Sequence, residues 1–370
     1  MFYQRIFGFI RKNVVMTIAF LAALVTTFFV PIDSEYLEYF DFKTLTCLFC
    51  TLAVVCALRN IRFFYTLARK VVEIFKNARM SVLALVYVTF IGSMLIANDM
   101  ALLTFLPLGF YVLSSTKKEK YMAFTFIMQN ISANLGGMLT PFGNPQNLYL
   151  YSKFEIPTVE FMGIMAVPFI LSIALLTLCC FIFVKKEPLR LSEETVKLNP
   201  YRTAIYLLLF AFSIVIVFRV IPYQLGLIVI PISLLFLDRK ALLKVDYSLL
   251  FTFVFFFIFA GNTSRIEGVR NLFSSFLEKN TFLFSVLSCQ VISNVPSAIL
   301  LSQFTTNYKA LLLGVNIGGV GTLISSLASL ITFSEFTKRN PNSGKRYIAL
   351  FSAFNFSFLI ILSVVTLFIL

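Results

Sequence analysis

This sequence contains no histidine and no tryptophan among its 370 residues, and only 13% of it is charged. Without histidine there is no imidazole metal ligand, no histidine general base and no histidine pH switch. The shortage of charge excludes a water-soluble domain of any size, because soluble domains carry about 25% charged residues. The absence of tryptophan leaves interfacial anchoring to tyrosine. Six cysteines (Cys47, Cys50, Cys56, Cys179, Cys180 and Cys289) all lie in apolar stretches. Cys47 and Cys50 have C-x-x-C spacing, but no carboxylate falls within their helix, so they read as buried small apolar side chains. No metal-ligand cluster or nucleophile motif appears. The chain is therefore read as a non-enzyme without a cofactor.

What is present is apolar: 59% of the residues are hydrophobic. Uncharged runs of roughly 18 or more residues recur from end to end, as membrane spans require. Nine crossings are placed near 14–31, 42–58, 121–152, 161–184, 203–220, 222–237, 247–262, 309–334 and 347–370. The first run follows Arg5, Arg11 and Lys12 but lacks a small-residue cleavage site, so it reads as a retained helix rather than a signal peptide. With the N-terminus cytoplasmic, 24 of the 31 Lys and Arg fall inside and seven outside. The acidic residues divide eight and eight, with Asp99 left in the membrane. A bias confined to basic residues is the positive-inside rule. The net charge of +14 therefore reflects a lipid bilayer as partner, not nucleic acid.

The polar stretch 185–202 divides the chain near its middle. It reads as a cytoplasmic linker between a first inverted repeat (1–184) and a second (203–370). Asp41 and Asp246 each open an apolar helix, and each helix is followed by an amphipathic one. In the first, Phe64, Leu67, Ala68, Val71, Ile74 and Phe75 form an apolar stripe opposite Arg69, Lys70 and Glu73. In the second, Ile266, Val269, Phe273, Phe276 and Leu277 form the stripe. Such helices suit the interfacial plane. Next comes an apolar stretch interrupted at Ala97-Asn98-Asp99 in one half and at Ser293-Asn294-Val295-Pro296 in the other. The second stretch is too short for two full spans of about 20 residues each. Both are therefore expected to be re-entrant hairpins with Asn98 and Asn294 at their tips.

The most informative feature follows each hairpin. Residues 133–154 (ANLGGMLTPFGNPQNLYLYSKF) and 315–336 (VNIGGVGTLISSLASLITFSEF) align without gaps, with seven of the 22 positions identical. The duplicated Asn-x-Gly-Gly-x-x-Thr runs from Asn134 to Thr140 and from Asn316 to Thr322. Glycine and proline at that density break a membrane helix, and a break at the same depth in two halves points to the central site of a secondary transporter. Broken ends expose N–H groups on one side and carbonyls on the other. Carbonyls with Asn and Ser oxygens suit a small hard cation, and helix N-termini suit an anion. No Lys, Arg or His is expected near any of the four interruptions, so an anionic substrate would need helix ends and a co-bound cation to balance its charge. The candidate substrate- and ion-binding residues are Asn98, Asp99, Asn134, Gly137, Thr140, Asn144, Asn147, Ser293, Asn294, Ser297, Asn316, Gly319, Thr322 and Ser325. Asn98, Asp99 and Asn134 form a candidate sodium site. Asp99 is the single intramembrane acid, a costly placement that points to binding a coupling cation or carrying a proton.

At these residues the chain resembles the ion transporter superfamily, which includes arsenite permeases, D-type sodium/proton antiporters, citrate transporters and divalent-anion/sodium symporters. The carrying stretches are Asn98 to Leu103 with Pro107-Leu108, Asn134 to Asn147, Ser293 to Ser297, and Asn316 to Ser329. The GNPQN and QVISNVPS wording is similar to a compact branch of bacterial inner-membrane permeases. The resemblance implies an all-α polytopic membrane protein: an inverted-repeat transporter with two re-entrant hairpins, two broken transmembrane helices and about 9–10 spans. It further implies an elevator-type cycle, a homodimer and a multi-pass protein of the bacterial inner membrane. In the divalent-anion symporters both tips read Ser-Asn-Thr; here they read Ala-Asn-Asp and Ser-Asn-Val, so the asparagines carry over and the threonines do not. The leading expectation is sodium- or proton-coupled transport of a small anionic solute, a carboxylate or inorganic oxyanion. Sodium/proton antiport and arsenite or antimonite efflux are the alternatives. A channel would need polar stripes along whole helices, and the sequence shows isolated breaks.

Overall fold

The capping residues that open the helices are already visible in the chain. Asp41 and Asp246, the repeated pair, accept hydrogen bonds from the backbone N–H of Thr44 (2.9 Å) and Leu249 (3.0 Å) and start equivalent helices. Asn77 and Asn307 do the same through Met80 and Ala310. The computed structural model describes residues 13–189 and 198–370. Arg5, Arg11, Lys12 and linker residues 190–197 lie outside them.

The described residues form seventeen α-helices and no strand. The first half holds α1 (Val14–Thr27), α2 (Phe42–Asn60), α3 (Phe63–Glu73), α4 (Ala78–Ile96), α5 (Asn98–Ser115), α6 (Met122–Gly136), α7 (Pro145–Lys153) and α8 (Thr158–Phe183). The second holds α9 (Pro200–Val217), α10 (Tyr223–Leu237), α11 (Arg239–Leu243), α12 (Tyr247–Arg265), α13 (Glu267–Ile292), α14 (Asn294–Leu301), α15 (Tyr308–Ile317), α16 (Leu327–Arg339) and α17 (Gly344–Ile369). The order of α2 to α8 recurs in α12 to α17. Each series runs from a capped apolar helix through an amphipathic stretch, a hairpin and a broken helix to a long apolar helix. In the second series the amphipathic stretch and the first hairpin arm are one helix, α13, kinked at Asn280. There the Asn280 side chain caps the arm by accepting from Leu283 N–H at 2.8 Å.

The protein is an all-α polytopic membrane protein. Six described helices are long and apolar enough to cross a bilayer, and α1, α10 and α15 are shorter apolar helices. One of the six is α4, the first arm of the first hairpin. A single residue, Ala97, joins it to α5, and the two arms pack together. The chain thus returns to the side it left whether the arm spans the bilayer or stops inside it.

Packing divides the helices into two groups. α1 packs along α12, and α2 packs on α9 and α10. The hairpins, the broken helices, α8 and α17 pack mostly on one another. The groups meet where α7 lies on α2 and α14 lies on α12.

The amphipathic stripe of α3 needs correcting. Phe64 and Ala68 are buried, but Leu67 and Ile74 are exposed and Arg69 is buried. Arg69 pairs with Glu73 at 2.6 Å and lies over the Tyr111 ring at 5.1 Å. The hairpin arm α5 covers this face of α3, and an arginine can be buried there because its plane stacks on an aromatic ring. The start of the linker is also not loose. Ala78 N–H donates to Glu187 O (2.8 Å) and Leu189 N–H to Lys76 O (3.0 Å), pinning the linker to the base of the first hairpin.

Candidate functional site

Both hairpin tips turn on one residue with positive φ that is not glycine. Ala97 has φ 62° and ψ 150°; Ser293 has φ 76° and ψ 159°. This region is almost reserved for glycine and costs of order 1–3 kcal/mol for other residues. The asparagine after each turn bends its side chain back identically. Asn98 Oδ1 accepts from Asp99 N–H, and Asn294 Oδ1 accepts from Val295 N–H, both at 2.9 Å.

Each hairpin is tied to the broken helix of its own half by the repeated threonine. Thr140 Oγ1 donates to Met94 O (2.7 Å), and Thr322 Oγ1 donates to Gln290 O (3.0 Å). Met94 and Gln290 each stand four residues before the tip asparagine. Ser297, a further candidate, shares a hydrogen bond with Ser288 across the second hairpin (2.8 Å). These three hydroxyls hold the framework; they do not face a shared site.

The amides converge. Asn98 Nδ2 donates to Asn134 Oδ1 (3.2 Å). Asn144 Nδ2 donates to Asn134 O (3.2 Å) and Asn316 Oδ1 (3.4 Å). Asn316 Nδ2 donates to Asn147 Oδ1 (2.6 Å), and Asn147 Nδ2 to the carbonyls of Gly137 (3.1 Å) and Met138 (3.2 Å). On the second side, Asn294 N–H and Ser293 Oγ both donate to Ser325 O (2.9 and 3.3 Å), and Ser325 Oγ donates to Gly319 O (2.9 Å). Gly319 seals the junction: a Cβ there would lie 3.1 Å from Asn294 Nδ2 and 3.6 Å from Asn134 Oδ1. Gly137 stands closer still to Asn144, a Cβ there running into Asn144 Oδ1. Both tips and both breaks therefore meet at one buried constellation.

Among the buried oxygens without a hydrogen-bond partner are Asp99 Oδ1, next to the first tip asparagine, and Asn144 Oδ1 and Gln146 Oε1, at the end of the first break. Buried acceptors are normally satisfied, so these are the oxygens available to a bound cation or to a donor on a solute. In the proposed sodium set, Asn98 and Asn134 bond each other, which leaves Asp99 as its free carboxylate. The helix starts at Asn98, Asn294 and Pro145 carry the positive ends of their dipoles, although the Asp99, Asn294 and Val295 N–H groups are already taken by internal acceptors.

Several residues were missed from sequence. Asn130 is buried one turn before Asn134 and donates to Ser329 Oγ (3.3 Å) and Asn355 Oδ1 (3.4 Å). Gln290 clamps the second break: its Nε2 donates to Gly318 O (2.8 Å), and its Oε1 accepts from Thr322 N–H (2.9 Å). An uncharged amide inside an apolar run was the available signal for Asn130, Gln290 and Asn355. The lack of a basic group also needs correcting. Arg59, distant in sequence, places Nη1 3.7 Å from Met100 Sδ, two residues past the first tip asparagine. In addition, the Arg219 guanidinium lies over the Tyr151 ring at 4.1 Å and donates to Tyr151 O.

Comparison with known proteins identifies the chain as a transporter. The citrate transporter family model matches residues 5–310, and the chain belongs to that family. It is 33% identical over 300 residues to the uncharacterized transporter MJ0456 of Methanocaldococcus jannaschii, covering 80% of this chain and 82% of that one. It is 28% identical over 319 residues to the inner membrane protein YbiR of Escherichia coli, covering 84% of each.

Proposed function

We propose that this protein is a secondary active transporter of a small anionic solute, a carboxylate or inorganic oxyanion, coupled to sodium or protons. The observation that carries the reading is the buried amide constellation joining both halves, whose segments also carry the unpartnered oxygens of Asp99 and Asn144 and the helix starts at Asn98 and Asn294. A cation held by Asp99, Asn144 and Gln146 would balance an anion drawn to the positive ends of those helices. The two packing groups support an elevator-type movement of the hairpin group against α1, α2, α9, α10 and α12. The family's printed description, citrate transporter, supports a carboxylate. The name of the Escherichia coli relative supports an inner-membrane location. The basic-residue bias supports a cytoplasmic N-terminus with the two halves inverted, and the resemblance supports a homodimer.

The second reading, sodium/proton antiport, is favoured by the unpartnered Asp99 carboxylate oxygen. Arsenite efflux would use the neutral amides alone. Uptake of citrate, phosphate and arsenite into proteoliposomes under imposed sodium and pH gradients tests all three. Gradient-driven uptake of an anion supports the main reading. Sodium/proton exchange without solute moves the assignment to antiport. Single-channel currents would sink the carrier.

A further inference from the structure

The two halves differ most where their return arms meet the other helix group. In the second half, α14 packs on α12. In the first half, the corresponding arm α5 packs on α3 rather than along α2, and a cavity of about 330 Å³ opens beside it. One wall is the α2–α3 corner, with Arg59, Arg62 and Tyr65; the other is α5, with Leu103, Thr104 and Pro107. Arg62 sits at φ 58°. That left-handed turn, unfavourable for a non-glycine residue, folds the corner so sharply that both guanidinium groups line one wall.

We infer that this cavity is an anion-recognition vestibule leading to the Asn98 tip, with Arg59 and Arg62 as its donors for a di- or tricarboxylate or a polyvalent oxyanion. The inference rests on the anion reading above. Arg59 and Arg62 are exposed, and neither is in an ion pair with a described carboxylate. Arg69, Arg265 and Arg339, by contrast, are matched to Glu73, Asp33 and Glu335. Asp238, close in space, is bound by Asn60 at 2.9 Å and not by either arginine. Two unpaired planar forks on one cavity wall match carboxylate and phosphate oxygens, which accept two parallel hydrogen bonds from each fork. The volume falls in the range of small-molecule sites, about 300–1,000 Å³. The Arg59 contact with Met100 places this charge at the start of α5, two residues past the tip asparagine Asn98. A neutral arsenite gains nothing from such a vestibule.

The same forks could hold an anionic lipid headgroup, so the experiment needs two arms. In the first, citrate and inorganic phosphate are the probes: the thermal midpoint of the purified full chain is measured, then citrate uptake in proteoliposomes. Citrate should stabilise the wild type, and R59Q/R62Q should lose that shift. The double variant should raise KM for citrate at least about tenfold, with kcat changed less than about threefold, the pattern of lost ground-state binding. R59K/R62K, which keeps the charges but not the forks, should fall between and shows that the corner still folds. Unchanged KM and an unchanged citrate shift in R59Q/R62Q would overturn the vestibule while leaving the transport reading intact. If the wild type carries no anion under any gradient, yet citrate protection still needs both arginines, the vestibule stands and the transport reading fails. In the second arm, liposomes with and without phosphatidylglycerol are compared. A double variant that loses only its dependence on that lipid, with citrate KM unchanged, assigns the arginines to headgroups and overturns the proposal.

Discussion

Asn316 Nδ2 donates to Asn147 Oδ1 at 2.6 Å across 169 residues of sequence, joining the broken helix of one half to that of the other. The same Asn147 closes its own break through the carbonyls of Gly137 and Met138. Leaving a buried polar partner unsatisfied costs about 1–3 kcal/mol. Asn147→Leu is expected to destabilise the protein by about 2 kcal/mol and to abolish gradient-driven uptake. Asn147→Asp keeps the acceptor for Asn316 and loses the donors, so it should lie between. Thermal midpoints and uptake rates measured together check this. Full uptake in Asn147→Leu would make the bridge dispensable.

Asp99 carries a buried oxygen without a hydrogen-bond partner. Asp99→Asn removes the charge at nearly constant volume. Uptake by this variant should lose its dependence on sodium or on pH, whichever drives the wild type, with at least a tenfold drop in coupled rate. Normal transport with unchanged ion dependence would remove Asp99 from coupling.

Ala97 and Ser293 hold the hairpin tips at positive φ. Glycine adopts this conformation without a Cβ penalty. Ala97→Gly should stabilise the protein by about 1 kcal/mol or be neutral, the relief being offset by a more flexible unfolded chain, and Ser293→Gly should gain less because it also loses the Ser293 Oγ bond to Ser325 O. Ala97→Val should destabilise by more. Chemical or thermal unfolding in detergent separates them, and a stabilising Ala97→Val would contradict the observed tip geometry.

Gly137 and Gly319 occupy the same repeat position, but their surroundings differ. A Cβ on Gly137 would run into the Gly143 carbonyl and Asn144 Oδ1; one on Gly319 would be 3.1 Å from the movable end of Asn294. Gly137→Ala should therefore abolish uptake, and Gly319→Ala should reduce it several-fold. Equal effects on uptake would mean that the two breaks adapt alike.

Glu187 lies outside the apolar helices, where Lys118 (2.7 Å), Lys120 (2.5 Å) and Tyr121 (3.0 Å) hold its carboxylate. Those partners, Lys118 foremost, lower its pKa from 4.5 to about 2. A carboxylate with a depressed folded-state pKa contributes stability that is fully present above the unfolded value. That contribution is lost as pH falls from about 4.5 through about 2. Glu187→Gln should flatten the thermal midpoint against pH across that window and leave its slope at neutral pH unchanged. An identical acid slope in the variant would show that the linker contact contributes no pH dependence.

The helix breaks and the element order were legible because glycine, proline and asparagine are conspicuous inside apolar runs, and their effect on a helix is local. Asp41 and Asp246 were legible for the same reason: a cap is settled by residues within one turn. The hairpin tips were found through their asparagines, although the strained residues before them, Ala97 and Ser293, carry no sequence signal. The roles of Thr140 and Thr322 were not legible, because the carbonyls they bond belong to another helix. Arg69 looked solvent-facing by its spacing and is buried, since that spacing does not reveal that α5 covers α3.

The sequence by itself determined that this chain is a helical membrane protein, where its helices break, and which amides lie in apolar surroundings. Periodicity, capping and helix breaking act over a few residues, so they can be read in order along the chain. Tertiary structure alone decided which amides bond one another, which oxygens stay unpartnered, and that Arg59 leans over the start of α5. Those outcomes depend on packing between segments far apart in the chain, where no local preference specifies the partner.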